Sequence, residues 1–406
     1  MVERDLAKVE VAGSSPVIRS IFFGIAENGS LAQLGEHLPY KQRVTGSIPV
    51  ASTTNNVRGD NLRGFFTPNM AKGVFMEVFY LTLQQMMTMF VLMAIGFILR
   101  RKEILPENAG SVIAKLLTYV ISPALALNTQ IKNCTLETFT ENIELPLYSL
   151  VLVLIAIAVA YPLSRLFVRN YKSSDALTYQ RNIYKYALAF ANYGYVSDFL
   201  ILGVFDEEVY FKYTLFKFSM NILCYGWGLF ILIPKDKGTS TLHNLKKGLL
   251  TPPMIAMVLG IVLGLLGVRK YIPDFVMTAF ESAGKCQGLS MVLAGLVVGS
   301  YSFKEIILNK KVYLASLMRL IVLPSAMIGA LILLRPVLIR ISSAAVYDTV
   351  ILFTLFAFAA PLGLNTIVYP ATYGGDTKTG ASMALISSIL SVITLPLMYL
   401  LFVVIL

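Results

Sequence analysis

From about residue 76 onward the chain alternates long apolar runs with short polar stretches. Most of the runs approach the ~20 apolar residues that cross a bilayer. Ten spans are predicted: 76–99, 111–130, 146–168, 183–205, 208–233, 250–268, 273–299, 312–334, 346–372 and 381–405. Two of them carry polar interruptions at corresponding places. Span four contains Phe190-Ala191-Asn192-Tyr193-Gly194-Tyr195, and span nine contains Pro361-Leu362-Gly363-Leu364-Asn365-Thr366. Proline removes a backbone donor and breaks a helix. A broken backbone in lipid survives where protein or a water-filled cavity covers it. Span nine is therefore expected to be a discontinuous helix, and the glycine-bearing interruption of span four corresponds to it in placement.

The polar connections divide into two sets. Alternate loops, starting with the first, hold Arg100, Arg101 and Lys102, then Arg169, Lys172 and Arg181, then Lys235, Lys237, Lys246 and Lys247, then Lys304, Lys310 and Lys311, then Lys378. The other set is poorer in Lys and Arg. The richer set is expected in the cytoplasm, which puts both termini outside a multi-pass cell-membrane protein. The long loop 234–248 separates residues 76–233 from 249–406. Five spans on each side give the halves opposite orientation, the arrangement of an inverted repeat. The expected fold is all-α and polytopic: ten helices in two inverted five-helix repeats, with helices four and nine interrupted at matching positions.

Composition agrees. The chain has 406 residues, 56% hydrophobic and 14% charged, too apolar for a soluble domain of that size. Its net charge of +11 is read as cytoplasmic loop charge and not as nucleic-acid binding. The three cysteines, Cys134, Cys224 and Cys286, form no C-x-x-C and imply neither a disulfide framework nor a metal site. There is no phosphate-binding loop and no H-E-x-x-H motif, so neither ATP hydrolysis, an enzyme activity nor a cofactor is expected.

Residues 1–75 differ from the rest: they are polar and lack a signal-peptide layout. Val11-Ala12-Gly13-Ser14-Ser15-Pro16-Val17 recurs as Val44-Thr45-Gly46-Ser47-Ile48-Pro49-Val50. Together with Leu31-Ala32-Gln33-Leu34-Gly35-Glu36, this resembles translation through tandem tRNA genes. The segment is expected to be a non-native, disordered leader, with the true start at Met76 or, second, Met70.

The candidate chemistry lies in the breaks. Asn192 and Asn365 each offer two donors and an acceptor, enough to bind a carboxylate without fixed charge. Half-helix amino termini beside them add positive dipole ends. Gly194, Tyr195, Pro361, Gly363 and Thr366 complete the two interruptions, and Asn221 of span five is a further wall. Asp198, deep in span four, is the candidate proton carrier, because an ionisable group there is costly. Glu281 and Lys285 are read as a self-neutralised structural pair. Arg319 is expected to snorkel to the cytoplasmic surface. Pro123 is expected to kink span two, and Gly260 and Gly264 to serve close helix packing.

These residues carry a resemblance. Gly96 to Pro106 (G-F-I-L-R-R-K-E-I-L-P), Y-V-I-S-P-A-L in span two, A-N-Y-G-Y in span four, Pro361 to Asp376 and Thr394 to Pro396 resemble the auxin efflux carrier family. That family includes bacterial relatives of the plant PIN carriers, of malate or malonate permease type. The resemblance covers essentially all of 76–406. It implies ten helices in two inverted repeats, crossing broken helices, transport of small organic anions, and homodimers. Two positions depart from the pattern. Phe199 stands where relatives have a crossover proline, and Gly288-Leu289 where relatives often have Pro-Leu. The leading expectation is a secondary carrier of small carboxylates, proton-linked or potential-driven. A sodium-coupled carrier of the same architecture is the alternative.

Overall fold

The computed structural model describes residues 72–234, 250–301, 309–373 and 375–405. The expected leader, apart from its last four residues, and nearly all of loop 234–248 lie outside them. The described chain is helical: α1 Lys72–Arg101, α2 Ala109–Asn133, α3 Leu145–Phe167, α4 Asp175–Ala189, α5 Val196–Val204, α6 Glu207–Leu232, α7 Pro252–Leu265, α8 Asp274–Lys285, α9 Leu289–Gly299, α10 Lys310–Leu333, α11 Ala344–Phe358, α12 Asn365–Tyr373 and α13 Lys378–Ile405. Among the described residues, six helical stretches are long and apolar enough to cross a membrane. α7 and α11 are apolar but shorter. The first helix begins at Lys72, ahead of the expected 76.

Local chemistry sets the ends and the irregularities. Ser174, Asp206 and Ser343 cap α4, α6 and α11, each accepting from a backbone N–H three residues on. Pro123 in α2 and Pro324 in α10 each follow a π turn, Leu117–Ile121 and Met318–Val322. A wider turn relieves the clash and the missing donor that proline brings to a helix. A third π turn, Cys224–Gly228, loosens α6 beside the candidate site.

Packing sorts the helices into two groups. α1 lies against α9, and α7 against the Ser122–Asn133 half of α2. Both contacts are backbone-close. A Cβ on Gly295 would stand 1.9 Å from the Met93 carbonyl oxygen, and one on Gly264 would stand 2.6 Å from that of Cys134. Gly260 and Gly264 thus do serve close packing. The second group holds α3 against α4 and α6, and α10 against α11 and α13. The groups meet where α1 touches α5 and α13, and where α2 touches α6.

Candidate functional site

The backbone is broken in both expected places. α4 stops at Ala189 and α5 restarts at Val196; α11 stops at Phe358 and α12 restarts at Asn365. The two breaks touch. The Asn192 amide donates to the Pro361 carbonyl at 2.7 Å. A Cβ on Gly363 would sit 3.4 Å from the Ala191 carbonyl oxygen, so a bare glycine lets the strands pass closely. Neighbouring side chains take up the backbone groups the breaks release. The Tyr213 hydroxyl donates to the Tyr193 carbonyl (3.0 Å), the Ser197 hydroxyl to that of Phe356 (2.8 Å), and Ser387 Oγ accepts from the Leu362 amide (2.9 Å). Such pairing is what permits irregular backbone inside an apolar bundle.

A cavity of about 30 Å³ opens at the contact, lined by Asn192, Gly194, Tyr195, Asn221, Gly363 and Asn365 among others. The starts of α5 and α12 both border it, so two positive dipole ends face one space. Asn365 Nδ2 donates to the Tyr186 hydroxyl at 2.9 Å and lies 3.6 Å from Cys224 Sγ, which is itself 3.0 Å from that hydroxyl. That volume holds a water or two.

A second cavity, about 90 Å³, shares Gly194, Tyr195, Asn221 and Tyr225 with the first and adds Asp198 and Lys217. Asp198 is buried on α5, in an ion pair with Lys217 of α6. The Lys217 ammonium also lies 5.4 Å from the ring centres of Tyr210 and Tyr213. Sequence reasoning passed over Lys217. The signal was present: a lysine well inside an apolar span, at a depth where a charge requires a partner.

Most of the expected residues therefore converge, but not all. Pro361 contributes its carbonyl to the contact between breaks. Thr366 turns back, its hydroxyl donating to the Gly363 carbonyl at 3.0 Å, and it serves the start of α12 instead of the cavity wall. Glu281 and Lys285 do pair, at 2.9 Å, with Lys132 joining Glu281 at 3.0 Å. Arg319 corrects an expectation. It does not reach a surface: it is 1% exposed, with Nη1 donating to the Leu188 carbonyl at 3.3 Å. α4 closes over it, and the Phe358 ring lies 5.8 Å away, so the side chain has no route to water.

A family model described as membrane transport protein matches residues 81–244 and, separately, 239–399. The chain belongs to this family, the auxin efflux carriers. It is a multi-pass membrane transport protein and not an enzyme. Two matches, one to each half, point to an internal repeat in this carrier. No curated protein matches the chain.

Proposed function

We propose that this carrier moves small organic anions, of the malate or malonate kind, across the cell membrane by alternating access. The observation that carries the reading is the polar cavity at the contact between two broken helices, walled by Asn192 and Asn365 and bordered by two helix amino termini. Amide donors and positive dipole ends suit a carboxylate. In the same reading the chain crosses ten times, as repeats 76–233 and 249–406 in opposite orientation, with loop 234–248 cytoplasmic and both termini outside. The packing supports it. α1 on α9 mirrors α7 on α2, and α3 with α4 and α6 mirrors α10 with α11 and α13. The bundle of α3–α6 and α10–α13 then rocks against the panel of α1, α2 and α7–α9 around the site.

The cavity is too small for a four-carbon diacid, so loading requires the bundle and panel to part. Proton coupling, in this reading, runs through Asp198. Protonating it frees Lys217, and the pair's position beside the shared cavity wall links that event to the site. Purified protein in liposomes is expected to exchange labelled malate or malonate. Asn365→Ala is expected to abolish exchange while the protein stays monodisperse. Full activity in that variant would remove the second break as the site.

A further inference from the structure

Arg319 sits in the π turn of α10, against the ends of the two helices that lead into the breaks. Leu188, whose carbonyl it reaches, is in the last turn of α4, and Phe358, whose ring it faces, is the last residue of α11. Its Nε and Nη2 have no hydrogen-bond partner among the described residues, and neither has Ser316 Oγ, one turn earlier on the same helix. Among the described residues no carboxylate pairs with it. A guanidinium keeps its charge in a protein, and burying an uncompensated charge is costly. The carboxyl ends of α4 and α11 turn partial negative charge toward it, which offsets part of that cost.

The charges at the crossing do not balance. Asp198 and Lys217 cancel, which leaves Arg319 as a net positive charge.

We infer that Arg319 is the fixed countercharge of the transported anion: an acid lodged between the breaks neutralises a buried guanidinium that the empty carrier leaves unbalanced. The inference rests on the organic-anion reading above and adds the group that makes the site prefer a charged ligand over a neutral one of the same shape. Two amides alone do not discriminate strongly, because they bind carboxylates and carboxamides alike. Removing a full charge beside the site, at an effective dielectric constant of about 20, is expected to change affinity on the order of tenfold.

The test measures binding of malonate and of its neutral diamide, malonamide, to the detergent-purified full chain by calorimetry, with melting curves for each variant. The wild type is expected to prefer malonate. Arg319→Gln keeps hydrogen-bond donors but drops the charge, and is expected to weaken malonate about tenfold while leaving malonamide unchanged. Arg319→Lys keeps the charge and is expected to stay within about threefold of wild type. Ser316→Asp, three residues from Arg319 on one helix face, supplies an internal partner. It is expected to raise the melting temperature and weaken malonate about tenfold, and it carries the test if Arg319→Gln does not fold. Unchanged malonate affinity in Ser316→Asp or Arg319→Gln overturns the countercharge, as does equal loss of both ligands or an Arg319→Lys variant as weak as Arg319→Gln. A wild type that binds neither probe overturns the organic-anion reading itself. Loss of malonate binding in Asn365→Ala with retention in Arg319→Gln leaves that reading standing and removes only the countercharge.

Discussion

Asp198 and Lys217 show how one residue's meaning depends on another. Alone, Asp198 reads as an ionisable group whose place in an apolar span is costly; beside Lys217 it forms an ion pair enclosed by Tyr210 and Tyr213. Removing one member of a buried pair strands the other charge, at a cost of about 3–5 kcal/mol. Asp198→Asn and Lys217→Met are each expected to lower stability by about that much. The double variant Asp198→Asn/Lys217→Met is expected to recover most of it, in denaturant or thermal melts of detergent-solubilised protein. Two single losses that simply add would show that the pair is not coupled. The aspartate is legible as a buried ionisable group; its partner, nineteen residues on and in the next helix, is assigned only by the packing.

The two interruptions are the informative elements. Their positions were legible because Pro361, Gly363 and the polar run around Asn192 cannot continue an apolar helix. That the breaks touch, amide of Asn192 to carbonyl of Pro361, is a fact of packing. Gly194 marks the difference between a packed and an open glycine. A Cβ there meets nothing within 4 Å, whereas Gly363 is pressed against Ala191. Gly194→Leu is accordingly expected to fold with a melting temperature near wild type, yet to plug the cavity and reduce exchange by at least tenfold in liposomes. Normal exchange in that variant would place the anion elsewhere. Thr366 was expected in the wall because it lies next to Asn365, but consecutive helix residues point in different directions, and Thr366 spends its hydroxyl on Gly363.

At the scale of the molecule, motion between bundle and panel is the testable consequence. α1 and α5 are in contact across that boundary: Gln85 Nε2 donates to the Phe199 carbonyl at 3.1 Å, and the Gln85 side chain presses on Gly203. A Gln85→Cys/Gly203→Cys pair, built with Cys286→Ser to remove the exposed thiol, is expected to halt exchange when oxidised and to regain it on reduction. Transport that persists in the fully cross-linked protein would exclude sliding at this contact.

The amino-acid order alone determined that the chain is helical and membrane-embedded, where its backbone breaks, and which family it belongs to. Those properties follow from apolar run lengths, from proline and glycine, and from local motifs, each of which acts within a few residues. Tertiary structure alone decided that Lys217 answers Asp198, that Thr366 leaves the cavity, and that Arg319 stays inside instead of reaching the surface. Each of these depends on which helix lies opposite, and a charge in an apolar interior takes its role from the groups that distant parts of the chain bring beside it.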